Sequence, residues 1–488
     1  MKTRKTLLRH AASACAVLLL SLASPRLHAV ATIWDGSDGN WTTSTSWSAG
    51  NPGYTTNHAV IQEGNVTVNS APLTAQYLLL VQGANGAGKT ATLTINAGAN
   101  LGMGTAADSQ IGTAAGGTGT VIHNAGTVNF DRSLVLGGTG SNNTGGTGIY
   151  TLNSGSFGVK NDFIMGNNTA SSSFSYLNLN GGTANLQGNL KVGAARYTGG
   201  SGGRLNTAIV TIAGGTLNLT GDYTHGLATT NGAGAIEATT RITGSKATIN
   251  IGGNLTLNQN ARNDSTLAFT LDDGGVSTIN VTGNATLAGT LNAGLKGGLT
   301  LTRTNEFTLV NAGGTLTSDF ATGPDSSLWT TTTASDALKL TLASSARKAT
   351  LAAVDNTTVG TGAFAAATTG FVEITGLAAG QELTLYLNAD AGTGKTIDDL
   401  AAWFTDNGVA ATALAGMDGY NLSISKTAAD STAWLAWDLS AFNADATLSA
   451  IGLATAAVPE PAAWTAITAL ALLACVVARR LKGAATSA

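Results

Sequence analysis

Cysteine is almost missing from this 488-residue chain, which has two, Cys15 and Cys475. Each lies in an apolar stretch at one end, so a chain processed at both ends carries none. Disulfide staples, thiolate nucleophiles and cysteine-ligated zinc are then excluded from its body. Histidine is nearly as scarce, five residues in all. The three beyond residue 30 (His58, His123, His225) stand singly, with no spacing of a metal site or a Ser-His-Asp triad. Charged residues make up 10%. Five of the 24 basic residues precede residue 30 and three follow residue 478, which leaves 16 basic against 27 acidic residues and a net charge near −11. Such a body is a poor partner for nucleic acid or anionic lipid. Helical periodicity is absent from most of the chain.

Glycine, by contrast, is abundant at 64 residues, and 43% of the chain is hydrophobic, too much apolar material for a disordered polymer. From Thr120 to Gly226 one unit occurs four times: TVIHNAGTVNFDRSLVLGG, YTLNSGSFGVKNDFIMGN, LNLNGGTANLQGNLKVGA and VTIAGGTLNLTGDYTHGL. Each copy has a glycine (Gly126, Gly155, Gly182, Gly215), at intervals of 29, 27 and 33 residues. Seven residues later stands a small polar residue (Ser133, Asp162, Asn189, Asp222), then an apolar-x-apolar step. Apolar residues alternate with Thr, Asn and Ser, the period of a strand with one buried face, and glycine-rich turns divide the runs. A unit of about 30 residues fits one coil of a parallel β-helix. Weaker copies extend the polar column to Asn100, Asn254 and Asn284, where short side chains bond to the neighbouring coil at a corner. The period predicts a solenoid over 61–345 with roughly eight to ten coils.

Residues 1–29 form a secretory signal: a basic start, the apolar run AASACAVLLLSLA, and a cleavage site after Ala29. Residues 30–60 carry Trp34, Trp41 and Trp47 between glycine-rich turns. They predict an aromatic cap over the open apolar end of the first coil, with a sugar-stacking platform as the alternative. Asp35 and Asp38 are expected to be turn formers rather than Ca²⁺ ligands. Over 348–455 glycine thins, and KTIDDLAAWFTDNG predicts a helix capped by Thr396 and stopped at Gly408. Strand-like runs around it predict a small β-rich domain. The last segment, 458–488, joins Val458-Pro459-Glu460-Pro461 to an apolar stretch over 462–478 and to Arg479 and Arg480. Seventeen mostly apolar residues with a basic tail read as a transmembrane helix with the tail in the cytoplasm.

The order Pro459-Glu460-Pro461, apolar helix, Arg479-Arg480 resembles the PEP-CTERM sorting signal. That resemblance covers about the last 30 residues. It implies recognition by an exosortase, a membrane cysteine transpeptidase that cleaves near the motif, and a Gram-negative source. It also implies passage across the inner membrane to the envelope, the cell surface or the extracellular matrix. The repeats, with the opening WDG…NW…W, also resemble autotransporter-associated β-strand repeats, although no terminal β-barrel pattern follows.

Two stretches imitate phosphate-binding loops. Gly83 to Thr90 (GANGAGKT) has the spacing, but a strand pattern follows where a helix is required. Asn388 to Leu400 has strand before and helix after, but Ala389 replaces the first glycine. Asp162 and Asp222 share a column two coils apart with Asn189 between them, a substitutable turn position rather than a catalytic pair. Asp272 and Asp273 are likewise expected in a turn. The expected architecture is therefore all-β: a parallel β-helix (β-solenoid), then a small β-rich domain with one helix, flanked by the signal peptide and the transmembrane sorting helix. The expected function is that of a non-enzymatic structural or adhesion-type protein of the cell surface or biofilm matrix, with no cofactor and no metal. A secreted carbohydrate-binding or polysaccharide-degrading β-helix is the alternative, with extracellular polysaccharide as its partner.

Overall fold

A computed structural model of the chain describes residues 30–53, 57–70, 72–138, 145–167, 172–194, 204–226, 234–261, 263–352, 360–417 and 419–455. The fold is all-β, 59% strand and 6% helix, with a β-solenoid of about 11 turns. The chain divides into two compact units. One comprises Met1–Leu177, Gly182–Ala208 and Asn231–Gly234; the other comprises Asn178–Gly181, Ile209–Thr230 and Ala235–Ala488.

In the first unit each full coil has three short strands. One coil is Thr118–His123, Thr127–Phe130 and Leu134–Leu136; the next is Thr147–Leu152, Ser156–Val159 and Phe163–Met165. They pair in parallel and in register, with Thr118 opposite Thr147, Thr127 opposite Ser156 and Leu134 opposite Phe163. Alternation sends every second residue inward, so like positions stack into columns such as Val128 on Phe157. Tyr150, Phe157 and Phe163 form an aromatic chain through the interior, with ring centroids 4.6 and 6.2 Å apart. Burial of each such side chain contributes about 1.5–3 kcal/mol. The recurrent glycines begin the middle strands with left-handed backbone. At Gly155 φ is +81°, and a Cβ would sit 2.3 Å from the Gly126 carbonyl oxygen of the coil before. Both constraints demand glycine.

The solenoid begins earlier than its period indicates. Val30–Ile33 and Gly39–Asn40 already pair in parallel with Asn57–Ile61 and Gly64–Val68. This opening coil, whose turns carry no copy of the repeat, helps explain why the observed number of turns exceeds the expected eight to ten. Trp34, Trp41 and Trp47 are 0–3% exposed and pack edge to face, each neighbouring pair at 5.0 Å. All three are buried, so none offers a face for a sugar to stack on. The Ser48 N–H donates to the Ile33 carbonyl, and the Ile33 N–H donates to Ser48 Oγ. The outer edge of the first strand is thereby closed by its own chain, which removes a template for edge-to-edge pairing.

In the second unit parallel coils continue through Leu316–Thr322. There the stacking ends: the antiparallel hairpin Trp329–Thr333 and Ala337–Leu342 adds to Glu306–Ala312. One strand departs from the coil pattern. Leu299–Thr302 pairs antiparallel with Thr432–Asp438, which also pairs with Thr369–Thr375, itself beside Arg347–Ala352. This four-stranded sheet shares one apolar core with a five-stranded sheet built on Glu382–Asp390 and with helix α1 (Ile397–Asp406). The expected domain start at 348 therefore omits Leu299–Thr302. Its LTLT alternation matches that of a coil strand, and alternation specifies a buried face, not a partner. Helix α1 forms as its signals predict. Thr396 and Asp399 make a reciprocal capping box, Leu400 and Phe404 are buried, and Gly408 takes φ +83° beyond the last turn.

Candidate functional site

The repeated polar position is the most regular chemical feature of the solenoid. In the first unit Asp162 Oδ1 accepts from both the backbone N–H and the Nδ2 of Asn189, each at 3.0 Å. Its Oδ2 accepts from Lys191 Nζ at 2.5 Å. Partial burial works to raise the Asp162 carboxyl, but Lys191 and the Asn189 donors outweigh it and hold it below the usual carboxylate range. In the second unit Asp222 Oδ1 accepts from Asn254 N and Nδ2 at 2.7 and 3.1 Å. Asn254 Oδ1 then accepts from Asn284 N at 2.9 Å, and Asn284 Oδ1 from Thr315 N at 2.8 Å. Each of these side chains carries a hydrogen bond from one coil to the next, so the carboxylates are engaged in holding coils together.

Asn100 does not stand in this column. It lies opposite Thr127 at the start of a middle strand. Leu134 faces Ser109, so the residue that aligns with Ser133 in that coil is Asp108. Residues 104–108 make a longer turn than 131–133, and the step Leu101-Gly102-Met103 imitates the apolar-x-apolar step of a third strand. Asp108 accepts from Arg132 Nε at 2.8 Å.

A second ladder escaped the sequence reading. Asn96 Nδ2 donates to Asn69 Oδ1 at 2.8 Å, Asn124 to Asn96 at 3.1 Å, and Asn153 to Asn124 at 3.0 Å. Its signal is an asparagine directly after the last buried residue of the first strand, as in Ile95-Asn96, His123-Asn124 and Leu152-Asn153. Asp35 holds a turn, accepting from Ser37, whereas Asp38 accepts from the backbone and amide of Asn65 in the next coil.

Two histidines are enclosed in the interior. His123 Nε2 lies 3.3 Å from the Gly126 carbonyl and Nδ1 lies 3.0 Å from Tyr150 Oη. A carbonyl only accepts, so Nε2 carries the proton and Tyr150 donates to Nδ1. Burial depresses the basicity of His123, partly opposed by the carbonyls of Gly126 and Ala125. His225 Nε2 lies 2.7 Å from Thr240 Oγ1, which also bonds Tyr223 Oη, and burial pushes the imidazole down to about 3. Both histidines are 0% exposed. This His-Thr-Tyr cluster resembles a proton relay in composition, but it faces no solvent through which a substrate arrives.

The phosphate-loop imitations resolve in structural terms. Thr90–Ile95, which begins at the last residue of GANGAGKT, is a strand, and Lys89 pairs with Glu63 at 3.3 Å. The loop before α1 does lead into a helix. There Thr396 caps it and Asp398 and Asp399 occupy its first turn, which opposes an anion. Among the described residues no group of three or more His, Cys, Asp and Glu side chains has the arrangement to hold a metal ion. No helix among them is long and apolar enough to cross a membrane. Ala29, Pro459, Glu460, Pro461, Arg479, Arg480 and the apolar stretch 462–478 lie outside the described residues. Comparison of the chain with protein-family models, with curated proteins and with solved structures found no match in any of the three.

Proposed function

We propose that this chain is a non-enzymatic structural or adhesion-type protein of the bacterial cell envelope, exported by its N-terminal signal. In this reading an exosortase-type transpeptidase sorts it through Pro459-Glu460-Pro461, the apolar stretch 462–478 and Arg479-Arg480. The solenoid is a scaffold that carries a surface outward into the extracellular matrix.

One observation supports the scaffold reading above a polysaccharide-cleaving one. Asp162 and Asp222, the column carboxylates that a hydrolase would use, are each committed to coil-to-coil hydrogen bonds. A general acid or base needs a carboxyl free to meet its substrate. The sorting reading rests on the resemblance of the C-terminal segment alone. It is tested by mass spectrometry of C-terminal peptides from protein recovered from envelope and medium. A terminus near Val458 to Pro461, with no peptide from Ala462 onward, is expected. Recovery of the Arg479 to Ala488 tail in membranes overturns sorting and leaves a conventionally anchored protein.

A further inference from the structure

Within the second unit, a cleft of about 370 Å³ opens between the turn at Asp272-Asp273-Gly274 and the C-terminal end of α1 at Asn407 and Gly408. Nine lysines lie between residues 30 and 455, and three of them, Lys246, Lys296 and Lys426, line this one cleft. Lys426 is held in place: its side chain is 8% exposed and its Nζ donates to both Asp273 oxygens at 2.9 Å. Asp273 also accepts from Leu301 N at 2.9 Å, so this pair joins the coil turn to the C-terminal sheets. Asp272 is fixed by Ser245 Oγ and by Gly274 N, each at 2.9 Å. Lys246 and Lys296, by contrast, form no ion pair among the described residues.

The charge balance favours an anion. Lys426 and Asp273 neutralise one another, and two ammonium groups remain against the single carboxylate of Asp272. The floor carries a further indication. Thr300 lines the cleft at 1% exposure, and its Oγ1 has no hydrogen-bond partner. A buried hydroxyl left unpaired is costly, about 1–3 kcal/mol, and a ligand that bonds to it recovers that cost.

A bare inorganic anion leaves the acceptors of the cleft unmet. These are the Asp272 carboxylate on the turn wall and, on the other wall, the Asn407 amide oxygen and the negative end of the α1 dipole. They repel a second negative charge and attract hydroxyl donors, while each wall also carries a lysine: Lys246 follows Ser245, which bonds Asp272, and Lys296 precedes Gly297, which packs against Asn407. A ligand that satisfies both kinds of group has one carboxylate and several hydroxyls. We infer that this cleft binds a carboxylated sugar, a uronic acid unit, with Lys246 and Lys296 on the carboxylate and Asp272 and Asn407 on the hydroxyls. This goes beyond the proposed envelope role and does not depend on C-terminal processing.

The test is calorimetric titration of the purified protein with trigalacturonate, with maltotriose as a neutral trisaccharide of equal length, and with inorganic phosphate. Saturable binding of trigalacturonate, weakened by added salt, is expected, with a dissociation constant on the order of millimolar. Maltotriose and phosphate are expected to bind at least about tenfold more weakly, a difference of about 1.4 kcal/mol. The double variant K246A/K296A, both of whose lysines are exposed, is expected to keep its circular dichroism and lose at least that factor. The exposed Lys160→Ala control is expected to bind as the parent does. Equal affinity for maltotriose, phosphate binding as tight as trigalacturonate, an unaffected double variant, or no binding of trigalacturonate overturns the inference. None of these outcomes bears on where the C-terminus is cut.

Discussion

At His225 the imidazole is fully enclosed, and burial alone pushes its pKa down to about 3 from an ordinary value near 6.5. The folded protein thus holds the neutral form, while the unfolded chain takes up a proton below about 6.5. Stability from this site is complete above about pH 6.5 and is lost as the pH falls from there toward about 3, by up to about 1.4 kcal/mol per unit. Urea midpoints measured from pH 7.5 downward are expected to fall in that window. His225→Leu, which matches Leu257 in the next coil, is expected to flatten part of the fall; an unchanged slope would place the acid sensitivity elsewhere. Glycine gives a second test at this scale. Gly155→Ala meets both a left-handed backbone and a carbonyl at 2.3 Å, whereas Gly98→Ala, φ +82°, meets its nearest atom at 3.5 Å. The backbone conformation alone costs about 1–2 kcal/mol. Thermal unfolding is expected to show about that loss for Gly98→Ala and a clearly larger one for Gly155→Ala. Equal losses would mean that the coils relax apart at no cost.

The coil is an element whose strands are legible in sequence and whose corners are only partly so. Alternation and the repeated glycines locate the three strands, because each glycine marks a backbone conformation that other residues resist. The polar column is harder, since Asn, Asp, Ser and Thr serve it equally and turn length varies by coil. Asn100 illustrates this: it has the right residue type beside an imitation of the right step, and it stands in another strand. In the Asn69-Asn96-Asn124-Asn153 ladder three members stand two residues before a left-handed glycine (Gly98, Gly126, Gly155), but Asn69 does not, and an asparagine just before a glycine equally marks an ordinary turn. The ladder contacts can be tested at Asp162. Asp162→Ala leaves the Asn189 N–H without its acceptor and is expected to cost about 1–3 kcal/mol in denaturant unfolding. Asp162→Asn keeps an acceptor and loses the half-exposed Lys191 pair, a change of below about 1 kcal/mol. Identical costs for the two would show that the Lys191 pair, not the ladder, carries the effect. In α1, removal of the Thr396 cap by Thr396→Ala is expected to cost about 1 kcal/mol.

Over the whole molecule, the strand at Leu299–Thr302 is the feature that sequence did not disclose. It belongs by position to the coils and by hydrogen bonding to the C-terminal sheets, where Leu299 and Leu301 are 0% and 3% exposed within the shared core. A fragment spanning 343–455 therefore lacks one of the two partners of Thr432–Asp438 and two core leucines. It is expected to lose the near-ultraviolet circular dichroism of its tryptophans and to aggregate; a fragment with native-like tryptophan signals would show that the borrowed strand is dispensable. The borrowed strand also sets an order in time. Coil neighbours lie 19–33 residues apart, but Thr302 and its acceptor on Trp434 are separated by 132. At a synthesis rate of about 5–20 residues per second, a coil strand waits a few seconds for its neighbour, whereas Leu299–Thr302 waits on the order of ten. Through that interval its apolar residues are available to any passing chaperone, and the C-terminal sheets close last.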